Sequence, residues 1–369
     1  MRFSSFFKIL LLLLLPPSLF IFFATFLLNN KTMETPIVAV NNNFEKKVVV
    51  ENAKKENTEK GVLNPAVLQW NKVTEQADWP KRDAHTLNAF NGKLWIFGGV
   101  GGVSPDYSDI YSDVWSSEDG KNWKLITDKV PWGPRRSHDS VFFHNKIWIL
   151  GGVTTDERYL NDVWSSEDGV NWVRIIKNAP WSSRKGFGAV VFQDKIWVIG
   201  GVASGGAVND VWSSEDGKNW SLITNKAEWS PRYDLAVEAF KDKIWLVGGV
   251  FPGLMGEKDI WESKDGKSWI NITKQAVFPG RHGHCLISYN DYIWIIGGWS
   301  GYGHGYNDTW YSKDGIDWKQ LYKDGSAPWK GREDLTCVEF EGKLFMMGGM
   351  KTTGVRTDDV WYLAEPINN

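Results

Sequence analysis

Apolar residues in this chain come in short runs bounded by polar turns, and the runs recur with a period near 50 residues. A Gly-Gly pair closes the strongest run of each copy: Gly98-Gly99, Gly151-Gly152, Gly200-Gly201, Gly248-Gly249, Gly297-Gly298 and Gly348-Gly349. Successive pairs lie 53, 49, 48, 49 and 51 residues apart. A tandem period of this length predicts a repeat architecture. In the second copy the run Ser140 to Phe143 is followed by the tight turn His144-Asn145 and then by Lys146 to Gly152. β-branched and aromatic enrichment around a short polar turn predicts a hairpin. A polar loop leads to Asn161 to Ser166, the dipeptide Asp168-Gly169, and Asn171 to Ile175. Asp-Gly between apolar strands predicts a second hairpin, because both residues tolerate positive φ. Four antiparallel strands per copy make one propeller blade.

The ends of the array predict how it closes. The sixth copy holds Gly348-Gly349 and Asp359-Val360-Trp361, but the sequence ends at Asn369 without a fourth strand. Gln69 to Thr74 matches Asn122 to Thr127 of the first copy. The N-terminal strand is therefore expected to complete the last blade, removing an open sheet edge. The fold class expected is all-β, a six-bladed propeller over residues 65–365. The Gly-Gly after an apolar strand, the later Asn-Asp-Val-Trp (as in Asn161 to Trp164) and the further Trp on strand four resemble Kelch repeats in all six copies. That resemblance implies a Kelch-type β-propeller and leaves function open, since such propellers serve many roles.

The N-terminus differs in kind. Ile9 to Leu28 is 20 residues long and almost wholly apolar, enough to span a bilayer as a helix, although Pro16-Pro17 would kink it. Residues 1–30 are read as an uncleaved signal anchor, with a cleaved signal peptide as the alternative. Either reading makes the protein exported. Residues 31–64, rich in Lys, Glu and Asn, are expected to form a flexible stalk, and 366–369 a short tail. A net charge of −2 gives no basic surface for nucleic acid. Two cysteines, Cys285 and Cys337, rule out a disulfide framework or a Cys-rich zinc site. They fall on the innermost strands of adjacent blades, so a single disulfide between them stays open.

Twenty-two of the 23 tryptophans occupy four repeating positions, which marks them as packing between blades. One series, Trp79, Trp132, Trp181, Trp229, Phe278 and Trp329, lies three residues before Arg82, Arg135, Arg184, Arg232, Arg281 and Arg332. These arginines either bond backbone carbonyls and stack on their tryptophans, or converge on an acidic ligand. Recurrence in all six copies favours the first role. The Ser-x-Asp-Gly-x-x-Trp turn, as in Ser117 to Trp123, is similar to the Asp-box of sialidases but one residue shorter. It is expected to be a folding device.

Binding chemistry is expected where the copies differ, on the loops joining strand two to three and strand four to one. The fifth copy carries Trp299, Tyr302, His304 and Tyr306, spaced by glycines; the first offers Tyr107 and the second Arg158. Directly after the arginines stand Asp83, Arg136, Lys185, Tyr233, His282 and Glu333, a mixed set near the axis. His85, His138 and His284 share a slot with Phe187, Leu235 and Leu335, which predicts packing and no metal site. No catalytic motif and no cofactor fingerprint is present. The reading is a membrane-tethered or secreted monomer that binds a protein or glycan on its variable-loop face. The alternative is a sugar epimerase, since periplasmic Kelch propellers that epimerise sialic acid share the sixfold repeat; Glu333, Asp234 or His282 would then serve as base. Galactose oxidase also carries Kelch repeats, but with seven blades and a copper ligand set that has no counterpart here.

Overall fold

The computed structural model describes residues 64–366 apart from 105, 106, 108, 252–254, 274 and 275. The expected anchor, and all of the stalk but Asn64, lie outside the described residues. Among these residues are six four-stranded antiparallel sheets and no α-helix. No described helix is long and apolar enough to cross a membrane.

Each sheet is one sequence repeat, laid down from the inside outward. Blade one is Thr86–Phe90, Lys93–Phe97, Val114–Ser117 and Trp123–Thr127. Blades two to five begin at Asp139–Phe143, Gly188–Phe192, Ala236–Phe240 and Cys285–Tyr289. Blade six takes Thr336–Phe340, Lys343–Met347 and Val360–Ala364 from the C-terminal end and Gln69–Thr74 from the N-terminal end. Trp70 stands opposite Leu363 and Asn71 opposite Tyr362, so the first strand of the array is the outer edge of the last sheet. The innermost strands touch in sequence order, and Thr336–Phe340 meets Thr86–Phe90 to complete the circuit.

The turns between strands one and two hold positive φ at both central residues, as at His144 (47°) and Asn145 (58°). This geometry matches the twist of the flanking strands. The second strand of every blade has side chains buried on both faces, for example Leu94, Trp95, Ile96 and Phe97. It therefore reads as an unbroken apolar run rather than an alternation. Each core cluster joins two neighbouring blades; one holds Leu87, Leu94 and Ile96 of blade one against Phe340, Phe345 and Met347 of blade six. Hydrophobic burial thus lies between blades, and no blade owns a core of its own.

Tryptophan makes that packing specific. The indole N–H of Trp148 donates to the Phe143 carbonyl (2.9 Å), and its ring covers the Asp-Gly turn of the following blade. A Cβ at Gly217 would sit 2.1 Å from that ring, so only glycine fits there. The loop and strand-four tryptophans meet edge to face, as Trp79 and Trp123 do at 6.1 Å and 85°. The hairpin beneath holds itself together: Ser117 Oγ accepts from the Gly120 amide, and Asp119 Oδ1 accepts from the amides of Lys121 and Asn122. Partial burial opposes ionisation of Asp119, Asp168 and Asp216, yet these amide donors and the serine hydroxyl bring their carboxyls down to about 2.

Candidate functional site

The six repeating arginines are built into the wall. Arg281 donates to both carboxylate oxygens of Asp308 (2.8 Å each) and to the carbonyl of Gly297 (2.7 Å). The same Arg–Asp–glycine unit recurs at Arg82–Asp113, Arg135–Asp162, Arg184–Asp210, Arg232–Asp259 and Arg332–Asp359. The aspartate also accepts from the strand-three tryptophan, as Asp308 does from Trp310 (2.8 Å). All six guanidinium groups are buried, and those of Arg82, Arg135, Arg184, Arg281 and Arg332 lie over the aromatic three residues earlier. A fork engaged bidentately and closed from water has no face to offer a ligand. The six candidates Arg82, Arg135, Arg184, Arg232, Arg281 and Arg332 therefore sit in the scaffold, and the acid-binding clamp that a sialic acid epimerase needs has no arginines in this ring. The recurring Asp of Asp-Val-Trp was visible in the sequence; its partner, 26 to 31 residues earlier, was not.

Two residues beyond each arginine the backbone turns into positive φ, at Ala84, Ser137, Gly186, Asp234, Gly283 and Asp334. There the amides of blades two to six donate to the preceding blade: Ser137 to Ala84, Gly186 to Ser137, Asp234 to Gly186, Gly283 to Asp234 and Asp334 to Gly283, at 2.7–3.0 Å. These peptide groups encircle the axis at the loop end. Behind them a central cavity of about 300 Å3 is lined by the innermost strands.

Carboxylates gather along this axis. Burial raises Asp139 and Glu238 to about 7, although Asp139 accepts from the amides of Ser140 and Ala189, and Glu238 from the hydroxyl of Ser288. At the mouth, Glu333 is pushed up to about 8 by burial and by the charges of Asp234 and Asp83. Burial also lifts Asp234 to about 6, against the pull of Lys185 and Arg136, and raises Asp334. Burial lowers His282 to about 4, with Nδ1 3.8 Å from Glu333 Oε2. Asp83 pairs with Arg356 (3.0 Å) and Arg136 with Glu157 (2.7 Å). The mixed set read from the sequence thus does meet at one place, and Lys185 and Tyr233 complete it. Asp139, Glu238, Asp334 and Arg356 were missed. For Asp139 and Glu238 the available signal was a carboxylate in an innermost-strand slot where no other copy carries a charge.

The three histidines are buried among the innermost strands. His85 and His138 bond threonine hydroxyls of neighbouring blades, and burial holds His85 near 3. Among the described residues no group of three or more His, Cys, Asp or Glu side chains is placed to hold a metal ion.

The loop end is where blades diverge. Connections of blades four, five, six and one are laced together: Gly256 N to Ser300 O (3.2 Å), Gly305 N to Thr352 Oγ1 (3.2 Å) and Ser104 N to Gly354 O (3.1 Å). Val103, Tyr107, Phe251, Met255, Tyr302 and Val355 stand on this crest, each 39–73% exposed. Of the sequence candidates, Tyr302 and Tyr107 are on it, Tyr107 lying over Arg136 at 4.3 Å. Trp299 is half-buried, its backbone paired with His282. Tyr306 is buried over Arg281 (4.6 Å), and so belongs to the wall. His304 is exposed and bonded to Asp324 (2.6 Å). Arg158 is exposed at the tip of blade two, 3.9 Å from Asp156.

Residues 119–298, from the first Asp-Gly hairpin to the fifth Gly-Gly pair, match the KLHDC2/KLHL20/DRC7 Kelch-repeats domain. A stretch of 101 residues is 30% identical to Ras guanine nucleotide exchange factor F of Dictyostelium discoideum, covering 27% of this chain and 9% of that protein. Sheets of four antiparallel strands, the buried Arg–Asp–Trp units and the matched repeats agree: the described domain is a Kelch-type β-propeller, a protein-interaction module.

Proposed function

We propose that this propeller docks a protein partner on its loop end, through the crest formed by the connections of blades four, five, six and one. The observation that carries the reading is the placement of exposed apolar side chains. Phe251, Met255, Tyr302, Val355, Val103 and Tyr107 all fall on strand two-to-three connections that are hydrogen-bonded into one surface. A contiguous apolar surface of this kind on a rigid scaffold supports protein association. The domain acts as a monomer, exported and held at a membrane by its N-terminal apolar segment. The Cys285–Cys337 disulfide, with Cα atoms 6.1 Å apart, supports the exported part of that reading, because such bonds persist in oxidising compartments. Glycans are a second ligand class for the same surface.

The test is affinity enrichment with the full chain, comparing the wild type with Phe251→Ser/Met255→Ser/Tyr302→Ser and with Val170→Ser/Ile316→Ser, exposed on the opposite end. A partner retained by the wild type and the second variant but lost by the first supports the crest. Equal retention by all three overturns it.

A further inference from the structure

Blade two carries its strand pairing well into the loop end. Its second and third strands run past the Gly-Gly pair as Lys146–Val153 and Tyr159–Ser166, with Gly152 opposite Leu160 and Val153 opposite Tyr159. The other blades pair the same position, at Val100–Ile110, Val202–Ala207, Val250–Gly256, Trp299–Gly305 and Met350–Arg356, but in blade two the pairing runs unbroken into the third strand. The result is a raised hairpin whose tip, Thr154 to Arg158, is tied by the Glu157 amide to the Thr154 carbonyl and by the Thr154 hydroxyl to Asp156. Between this hairpin and the connections at Pro131–Arg135 and Lys177–Ser183 lies a groove of about 660 Å3.

The groove has a neutral floor and a positive rim. Trp132, Trp164 and the Arg135–Asp162 pair are its base, largely withdrawn from solvent. Arg158, Arg174 and Lys177 stand exposed around it. Arg174 lies over the Trp164 ring at 5.4 Å, which holds its guanidinium in place without neutralising it. The lining offers two carboxylates: Asp162, already bonded to Arg135, and Asp156, bonded to Thr154 and 3.9 Å from Arg158. Glu157, at the same tip, is taken by Arg136 on the axis side. Three cations against one loosely engaged carboxylate leave the groove positive in a chain whose net charge is −2.

We infer that this groove receives an acidic, carboxylate-rich peptide segment of the protein docked on the loop end. The inference rests on that docking reading and adds an orientation to it. Three exposed pairs change affinity by only roughly tenfold. The crest therefore supplies most of the binding, while the groove steers the approach and sets which side of the partner faces blade two.

The direct test is fluorescence anisotropy of a labelled Glu-rich decapeptide with the full chain at about 10 mM salt, where screening is weakest. Arg158→Glu/Arg174→Glu/Lys177→Glu removes the rim. Lys121→Glu/Lys218→Glu/Lys267→Glu makes the same change in net charge on the opposite end, where all three lysines are exposed. The expected result is binding that weakens roughly tenfold or more in the rim variant, is nearly unchanged in the control, and falls steeply on raising salt. Inorganic phosphate at matched charge should compete weakly. No binding by the wild type, or equal loss in both variants, overturns the groove assignment. Neither result touches the crest, which is read separately by partner enrichment with the serine variants.

Discussion

At the turn end of the propeller, the Asp-Gly hairpins of neighbouring blades repeat down to single hydrogen bonds, whereas at the loop end the connections differ in length and in side chains from blade to blade. The turn end spends its polar groups on itself: serine, aspartate and backbone amides close each hairpin, and an aromatic ring of the preceding blade covers it. The loop end leaves large apolar and charged side chains in water. Repetition therefore marks the residues that build the ring, and departure from the repeat marks those available to a partner. The Arg–Asp–Trp units show why a recurring charged residue is no exception. They are the most hydrophilic groups in the wall and the least accessible.

The largest effect should come from breaking one such unit. Asp308→Ala leaves Arg281 buried without its carboxylate, and thermal unfolding should show a loss of about 3–5 kcal/mol. Replacing both, as Arg281→Met/Asp308→Leu, should recover much of it; a double variant as unstable as the single would refute the wall role. Cys285→Ala/Cys337→Ala should cost about 2–4 kcal/mol, since the bridge spans 52 residues and clasps blade five to blade six. Gly217→Ala, forced against Trp148 at a φ of 69°, should cost about 1–3 kcal/mol, and a neutral result would mean the ring over the turn is loosely held. Tyr302→Ser at the loop end should stay within about 0.5 kcal/mol of the wild type while losing partner.

Acidity separates the axis from the turn end. Asp139 and Glu238 have folded values raised to about 7, so the folded state holds their protons when the unfolded chain has released them. Their contribution is complete below about pH 4 and is lost as pH rises through 7. Asp119, Asp168 and Asp216, lowered to about 2, lose theirs only below pH 4. The buried His85 and His282, lowered to about 3 and about 4, pull the other way over the same range, so the difference is what tests the carboxyls: the melting temperature of the wild type relative to Asp139→Asn/Glu238→Gln should rise between pH 8 and pH 5.

Much of the scaffold was legible because its signals are periodic. Gly-Gly pairs, the Asp-Gly turns and the match of Gln69 to Thr74 with a fourth strand carry the blades and their closure in the sequence itself. The arginines were visible as a series but not as half of a pair, since sequence spacing carries no information on which side chains meet across a blade. The axial carboxylates lacked a series altogether: Asp234 and Asp334 occupy slots held elsewhere by Ala, Ser or Gly, and their convergence comes only from ring closure. Cys285 and Cys337 stayed ambiguous for the same reason, because the gap between innermost strands is set by the number of blades. The raised hairpin of blade two was hidden because its pairing resumes beyond the Gly-Gly pair across a register shift between Leu150 and Gly152, which no spacing in the sequence signals.

The pairing of Gln69–Thr74 with Val360–Ala364 also dictates an order of events. During synthesis the first strand leaves the ribosome almost three hundred residues before its partner exists. Five sheets can form from local hairpins in that interval, but the circle stays open until the last strand emerges. A nascent chain stalled short of Leu363 would present an unmated blade at each end, and would be a ready substrate for chaperones or for pairing with another unfinished copy.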